Sequence, residues 1–324
     1  MLLSIIIPIF KVEEYVGTCL ESIYSSEIDE SIFEVIAVND GTPDRSMEIV
    51  ERYKSRHCNL KIVNQSNAGV SAARNNGIMH ADGKFVTFVD PDDFLTAGAL
   101  NSLCSRLVNI DSELIVMRSM KESKEVYPWS SIFKDGNTTD GINMYLQGYS
   151  RGSVWGCVYK KDFLIKYAIL FPVGIRNGED TIFFGLCQIW AKEAIFWDLL
   201  FYNVFVRTGS ATTSLSKEVI RLYGDTANVL YNVIRQNESS YSKLQLSILS
   251  NKLYCCISQW VYSAIKVKEV DAQFLIKDLD VKKYLPIIKK YTCGFTLSKK
   301  IGLALMDKAF LLYYGIIKIK SSIL

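Results

Sequence analysis

The fold of this chain is indicated most clearly by residues 85–93, which read FVTFVDPDD. There an apolar run rich in β-branched and aromatic residues ends in three carboxylates within four positions. Three similar runs precede it, Ser4–Ile9, Phe33–Val38 and Leu60–Val63, and the four runs start 29, 27 and 25 residues apart. Such spacing is typical of a strand, a crossover helix and the next parallel strand. The first third of the chain therefore predicts a repeated strand–helix unit.

The segments between these runs have the apolar spacing of helices. Tyr15–Tyr24 has one apolar face, and Ala68–His80 is rich in small residues that allow close packing on a sheet. Thr42 followed by Pro43 predicts a helix N-cap with proline at the first helical position. Continuous apolar strands with helices on both faces indicate an α/β fold with a mostly parallel, Rossmann-like central sheet.

The composition narrows the class of protein. An apolar content of 49% supplies a packed core and excludes a disordered chain, and a net charge of +3 argues against a nucleic-acid binder. Eight scattered cysteines and two isolated histidines have no zinc-ligand spacing. Leu2–Phe10 lacks a preceding basic residue, and no apolar stretch reaches the ~18 residues of a spanning helix. We therefore expect a cytoplasmic protein.

The C-terminal third differs from the rest of the chain in its predicted secondary structure and in its charge. Residues 216–324 are expected to form a helical region, and residues 217–324 contain 17 Lys and Arg against 8 Asp and Glu. Residues 282–324 combine nine lysines with apolar helical stretches, which is typical of a peripheral contact with an anionic membrane. Packing on the core, or a homo-oligomer formed through the same residues, are the alternatives.

Polar residues follow two of the predicted strands at their carboxyl ends, where open α/β sheets bind ligands. Asp40 follows the second strand, and Asp90, Asp92 and Asp93 follow the fourth. Clustered carboxylates need a compensating cation, and hard oxygen ligands suit Mn²⁺ or Mg²⁺ on phosphate oxygens. The alternative is that Asp92 or Asp93 caps the following helix. The chain contains neither a P-loop nor a dinucleotide fingerprint.

Four motifs in order resemble family 2 glycosyltransferases of the GT-A fold, of the inverting type found in bacterial surface-polysaccharide synthesis. They are Pro8-Ile9-Phe10, Val38–Asp44, Asn67–Asn75 and Asp90–Asp93. The resemblance continues to Gly178-Glu179-Asp180 and Arg207–Ser210 and thins out after Thr213. It implies a GT-A domain over residues 1–215, with a nucleotide-sugar-binding half at 1–110 and an acceptor half at 111–215.

The resemblance also implies which residues bind the nucleotide. Pro8 and Phe10 would shape the base pocket, and Asp40 would accept a hydrogen bond from the base, usually uracil. Arg74 would meet the ribose or the diphosphate. The family commonly has Tyr-Asn where this chain has Phe10-Lys11, so the contacts beside the base are expected to differ in detail.

The same resemblance assigns the metal and the general base. Asp92 would bind the ion directly, and Asp90 would contact the ribose or a metal-bound water. Asp180, or less favourably Glu179, would take the proton of the acceptor hydroxyl. Displacing a nucleoside diphosphate needs a cation on the leaving group and a carboxylate at the attacking hydroxyl, which this set supplies. The alternative for Glu179 and Asp180 is helix capping alone.

The sequence therefore predicts a metal-dependent inverting glycosyltransferase of the hexosyltransferase type. The expected donor is a nucleotide sugar, with a UDP-sugar as the first choice. The expected acceptor is a saccharide or a lipid-linked saccharide. One alternative is a catalytically silent scaffold that binds nucleotide or membrane. Another is an Asp-nucleophile phosphohydrolase, although its Asp-x-Asp motif usually follows the first strand and not the fourth.

Overall fold

A computed structural model describes residues 1–25, 28–128, 132–206, 217–266 and 280–323. The chain divides into two compact units, Met1–Gly174 with Trp190–Arg207 and Ile175–Ile189 with Thr208–Leu324. The expected boundary between residues 215 and 216 lies outside the described residues, as does the Arg207–Ser210 motif. The division of residues 1–215 into two halves stays a prediction.

Within the described ranges, the first unit contains a ten-stranded sheet. Its strands are β1 Leu3–Ile9, β2 Phe33–Asn39, β3 Leu60–Asn64, β4 Phe85–Phe88, β5 Phe94–Leu95, β6 Leu114–Lys121, β7 Lys124–Val126, β8 Thr138–Thr139, β9 Cys157–Lys160 and β10 Ala194–Val204. The strand order is β3-β2-β1-β4-β9-β6-β10-β5, with β7 paired to β6 and β8 to β10.

The central strands of this sheet run as the sequence predicts. β1 pairs in parallel with β2 and β4, β2 with β3, and β6 with β10. β9 enters antiparallel between β4 and β6, so that the sheet continues beyond the repeated units. All seven residues of β1 are buried, as expected of a strand covered on both faces.

Helices cover both faces of the sheet. The first unit contains α1 Val16–Tyr24, α2 Ser46–Lys54, α3 Val70–His80, α4 Ala99–Leu107, α5 Gly141–Leu146 and α6 Lys161–Lys166. Apolar residues of α1, α2 and α4 join the core cluster that contains Leu3 and Ile5 of β1. α3 packs on the other face, where Gly77 lies against Ile6. The predicted α/β class is therefore confirmed.

The expected start of α2 is wrong. Thr42 does not cap a helix, because its hydroxyl accepts a hydrogen bond from the Lys11 amide at 2.8 Å and donates to Asp44 at 2.6 Å. The helix begins at Ser46, whose amide and hydroxyl both donate to the Asp44 carboxylate. The N-cap position is Arg45, which makes no side-chain cap hydrogen bond, and the first amide of the helix is satisfied by Asp44, two residues beyond Thr42.

The second unit is helical, as predicted for the C-terminal region. Helix α7, Glu179–Trp190, contributes its residues up to Ile189, and the further helices are α8 Lys217–Gln236, α9 Lys243–Lys266, α10 Leu285–Lys290, α11 Leu297–Lys308 and α12 Phe310–Ile323. α9 is buried along most of its length. Among the described residues, no helix is both long and apolar enough to cross a membrane.

Candidate active site

Asp40 follows β2 at the carboxyl edge of the sheet, where its carboxylate organises the next loop. Its side chain is buried, and Oδ1 accepts hydrogen bonds from Gln65 Nε2 and the Ala68 amide, both at 2.8 Å. Oδ2 accepts from the Gly69 amide at 2.9 Å and from Asn67 Nδ2 at 3.3 Å. Because a carboxylate offers about four acceptor positions, all of them are in use. Asp40 therefore holds this loop against the sheet at the positive end of α3.

Arg74 and Asp90, two predicted donor-binding residues, form a direct ion pair. Arg74 Nη2 donates to Asp90 Oδ1 at 2.8 Å, and its guanidinium lies 5.1 Å from the ring centroid of Phe171. The arginine side chain is 3% exposed, whereas that of Asp90 is 26% exposed. Asp90 can therefore face a ligand while the buried Arg74 guanidinium compensates its charge.

The strands that precede Asp40 and Asp90, β2 and β4, flank β1 on either side. Adjacent strands lie about 4.8 Å apart, so the two strand ends are about 10 Å apart on one edge of the sheet. Pro8 is buried in β1 between them, and Phe10 follows β1 with 40% of its surface exposed. The structure thus brings the predicted donor-binding residues of the first unit to the same edge.

Asp93 anchors the acidic turn, residues Asp90–Asp93, to the end of β10. Its Oδ2 accepts a hydrogen bond from Tyr202 Oη at 2.6 Å, and its Oδ1 accepts one from the Phe205 amide at 2.8 Å. Burial raises the pKa of Asp93 to about 7, the charge of Asp90 adds to the shift, and the two hydrogen bonds oppose it. Asp93 is therefore a structural residue of the turn.

The helix-capping alternative for this turn is wrong. Helix α4 begins at Ala99, and its N-cap position is Gly98, whose φ of 71° is left-handed. The carboxylate of Asp93 is instead bonded to Tyr202 of β10, the strand that pairs with β5 directly after the turn. Neither Asp92 nor Asp93 occupies the cap position.

Asp92 lies between these two anchored aspartates and is half-buried. No group of three or more His, Cys, Asp or Glu side chains in the described ranges forms a metal cage. Mg²⁺ beside a nucleotide commonly takes one or two carboxylates and completes its shell with phosphate oxygens and water. The oxygen donors of Asp90 and Asp92 fit an ion that is held mainly by its nucleotide, and they do not form a preformed cage.

The edge beside Phe10 contains a cavity of about 340 Å³, lined by Lys11, Glu13, Glu14, Tyr15, Pro43 and Asp44. Lys11 has a left-handed φ of 54°, and its ammonium lies 5.4 Å from the Phe10 ring centroid. Asp44 is partly desolvated, but hydrogen bonds from Ser46, Thr42 and the Glu13 amide outweigh that effect and lower the pKa of Asp44 to about 2. An ordered anion and an exposed aromatic ring therefore flank the end of β1.

Glu179 and Asp180, the predicted bases, occupy the first turn of α7 in the second unit. Gly178 precedes them with a left-handed φ of 84°, and a Cβ there would lie 2.8 Å from Thr226 Cγ2. The hydroxyl of Thr226 donates to the carbonyl oxygen of Asn177 in the same turn. α8 therefore fixes the backbone at the start of α7, and the role of Asp180 or Glu179 as base stays a prediction.

Sequence reasoning missed the residues that hold the site together. Tyr202 links Asp93 to the Asp90 amide and stacks on Trp155, with ring centroids 5.2 Å apart and an angle of 8°. Gln65, which donates to Asp40, lies two residues before the Asn67–Asn75 motif. No local signal marks Tyr202, because its partners are more than 100 residues away in the chain.

Comparison with known proteins now defines the class. The sequence profile of Glycosyl transferase family 2 matches residues 4–167, just over half of the chain. The chain therefore belongs to glycosyltransferase family 2, and the resemblance seen in its motifs is confirmed. It is 29% identical over 189 residues to the uncharacterized glycosyltransferase EpsJ of Bacillus subtilis (strain 168), covering 56% of this chain and 54% of EpsJ. The chain thus spans about half the length of that relative.

Solved structures show the same fold. Staphylococcus aureus TarS aligns with a TM-score of 0.74 at 20% identity, over 98% of this chain and 55% of that chain. Its fragment 1–349 in complex with UDP-GlcNAc gives 0.65 at 18%, over 91% and 92%. The mannosyltransferase PcManGT from Pyrobaculum calidifontis, with GDP-Man and Mn²⁺, gives 0.56 at 15%, over 95% and 87%. The predicted GT-A architecture is confirmed.

Proposed function

We propose that this chain is a metal-dependent inverting glycosyltransferase that moves a sugar from a nucleotide sugar to a hydroxyl of a saccharide or lipid-linked saccharide. One observation carries the proposal: Arg74, Asp90 and Asp92 lie at the same sheet edge as Asp40 and Phe10. A cationic side chain, a carboxylate pair and an aromatic ring are the groups needed for a diphosphate, its counter-ion and a base.

The donor is a UDP-sugar in this proposal, supported by the UDP-GlcNAc complex of TarS. The nucleobase lies against Phe10, with Pro8 shaping the pocket. A base that donates a hydrogen bond to the Asp40 carboxylate must displace one of its four present donors. The bond from Asn67 Nδ2 to Oδ2 is the longest of them, at 3.3 Å, and Asn67 Nδ2 also donates to the Asp40 carbonyl oxygen at 3.0 Å. Base binding and release of Asn67 are therefore coupled in this proposal.

The diphosphate lies over the turn that contains Asp90 and Asp92. These two carboxylates would hold Mn²⁺ or Mg²⁺, a choice supported by the Mn²⁺ complex of PcManGT. A bound divalent ion supplies positive charge at the leaving diphosphate. Arg74 keeps Asp90 in one orientation, and Asp93 holds the turn to β10 so that Asp92 projects from a rigid backbone.

The attacking hydroxyl loses its proton to Asp180, with Glu179 as the alternative base. A single displacement by that hydroxyl inverts the anomeric carbon, and a positioned carboxylate contributes about 10²–10⁴-fold to such a step. The first turn of α7 suits an anionic base, since the helix dipole stabilises carboxylates there. The base is most effective in its ionised form.

The acceptor belongs to surface-polysaccharide synthesis in this proposal. TarS is named a poly(ribitol-phosphate) beta-N-acetylglucosaminyltransferase, and it is 25% identical to this chain over 217 residues, covering 66% of this chain and 37% of TarS. A growing saccharide or a lipid-linked saccharide on the cytoplasmic side of the membrane is the corresponding acceptor class. No nucleic acid is expected as partner, in keeping with a net charge of +3.

Calorimetry with UDP, in the presence and absence of Mn²⁺, tests the donor site. Binding that requires the ion supports the proposal, whereas ion-independent binding contradicts the metal assignment. Release of UDP from a panel of UDP-sugars then separates an enzyme from a silent scaffold, which would bind UDP without turnover. Release of phosphate from simple phosphate esters would favour a phosphohydrolase instead.

A further inference from the structure

The two C-terminal helices of the second unit carry large apolar side chains that face solvent. Leu297 is 74% exposed, Leu311 67% and Ile319 63%. With three more exposed residues they form what we call the α11–α12 surface, consisting of Leu297, Ile301, Leu311, Leu312, Ile316 and Ile319. The two helices that carry these residues pack on each other, and exposed apolar side chains grouped on neighbouring elements mark contact sites.

Each helix packs on α9 through its opposite face. In α11, a Cβ at Gly302 would lie 2.3 Å from Tyr254 Oη, and Leu303 and Met306 are buried. In α12, Tyr313 is buried and its hydroxyl donates to Ser258 Oγ at 3.4 Å. At 100° per residue, Leu297 and Ile301 of α11 lie about 140–180° from Met306, and Leu311 of α12 lies about 160° from Tyr313. These residues therefore point away from α9, and Leu312, Ile316 and Ile319 lie on the flanks of α12, about 60–120° from Tyr313.

Lysines border the apolar residues. Lys300 and Lys308 are exposed on the same face of α11 as Leu297 and Ile301. Residues 282–324 contain nine lysines and one acidic residue, Asp307. That carboxylate is already paired with Lys289 at 2.9 Å. The surface is thus both apolar and strongly cationic.

We propose that the α11–α12 surface lies in the headgroup region of an anionic lipid bilayer. A basic, amphipathic helix pair binds there because its leucine and isoleucine side chains enter the acyl boundary while its lysines contact acidic headgroups. The aliphatic part of each lysine side chain can lie along the apolar face while its ammonium group stays among the headgroups. The contact anchors the second unit beside a membrane without spanning it.

Charge selects the bilayer over the other occupants. A second copy of the chain on a two-fold axis would place the same lysine-rich face against itself, and like charges across an interface are repulsive. A nucleic acid would satisfy the lysines but would leave six apolar side chains without an apolar partner. An anionic bilayer satisfies both kinds of side chain.

Vesicle flotation of the full chain tests the proposal, with phosphatidylcholine vesicles compared with vesicles containing 30% phosphatidylglycerol. We expect binding to the anionic vesicles that falls with added salt. Leu311→Glu with Leu312→Glu should abolish it, and the matched variant Val173→Glu, at an equally exposed apolar site of the first unit, should not. Lys300→Gln with Lys308→Gln should weaken partitioning roughly 30-fold, whereas Lys134→Gln with Lys192→Gln should leave it unchanged.

Two results would overturn the proposal. The first is equal or absent binding to both kinds of vesicle by the parent chain. The second is a concentration-dependent oligomer, seen by analytical ultracentrifugation without lipid, that the Leu311→Glu and Leu312→Glu variant dissociates. That outcome would assign the surface to a second copy of the chain. Circular dichroism of each variant shows whether its helices are retained.

Discussion

Tyr202 Oη donates a hydrogen bond to Asp93 Oδ2 at 2.6 Å and accepts one from the Asp90 amide at 3.0 Å. One buried hydroxyl thus joins both ends of the acidic turn to β10. Tyr202→Phe leaves the amide and the carboxylate oxygen buried without this partner, and each such loss costs ~1–3 kcal/mol. We expect the free energy of unfolding in urea to fall by about 2–4 kcal/mol, and ion-dependent UDP affinity to fall with it.

The matched control for that variant is Tyr167→Phe, which keeps the stacking of this ring on Trp190 at 4.6 Å. Its unfolding free energy should change by less than about 1 kcal/mol. A Tyr202→Phe protein that unfolds and binds UDP like the parent would show that the turn is held by other contacts.

Asp92→Ala should abolish sugar transfer and ion-dependent UDP binding while leaving the fold intact. Asp92 is half-buried, and truncating it removes a ligand for the ion without opening the core. Transfer assays with and without EDTA, together with thermal melting, check this prediction. The exposed Asp162→Ala is the control. Turnover by Asp92→Ala in the presence of EDTA would refute the metal assignment.

Asp180→Asn should keep UDP affinity and lose transfer, because the amide retains the shape of the side chain but takes no proton. We expect kcat to fall by about 10²–10⁴-fold, measured as sugar transferred under saturating donor. Glu179→Gln is the companion variant, since both residues occupy the same helical turn. Lost UDP affinity in Asp180→Asn would make Asp180 a donor ligand and move the base elsewhere.

Asn67→Ala and Asp40→Asn separate the two roles proposed for the Asp40 loop. Removing the Asn67 side chain frees one acceptor position on Asp40, so UDP affinity should stay constant or rise. Asp40→Asn converts one of the two acceptor oxygens into a donor that faces either the Ala68 or the Gly69 amide, and it should cost ~2–4 kcal/mol in unfolding free energy. Calorimetry with UDP and urea denaturation measure both effects. A large affinity loss in Asn67→Ala would place the base contact on Asn67 itself.

Much of the first unit is predictable from sequence because buried parallel strands are continuous apolar runs with regular spacing. Local patterns fail where a side chain bonds to a distant part of the chain. Thr42 has the sequence of a helix cap but is bonded to the Lys11 amide, and Asp93 has the sequence position of a helix cap but is bonded to Tyr202. Neither partner lies within the window that a helix or turn pattern covers.

For the same reason, the sequence predicts which residues form the candidate site but not all of their hydrogen bonds. Asp40, Arg74 and Asp90 were identified by their motifs, and the Arg74–Asp90 pair lies where the strand ends place it. The saturation of Asp40 by four donors could not be predicted, because it depends on how the loop after β3 folds back. Recognising a motif thus identified the residues but not their hydrogen-bonding state.

Gly77 leaves no room for even a methyl group, since a Cβ there would come within 2.3 Å of Ile6 Cγ2. The absence of a side chain at Gly77 therefore sets how closely α3 packs on the sheet. Arg74 lies one helical turn before Gly77, so the same packing distance sets the position at which Arg74 meets Asp90. Any library of variants of this protein should therefore keep glycine at residue 77, because an alanine there would shift α3 and separate the Arg74 guanidinium from the Asp90 carboxylate.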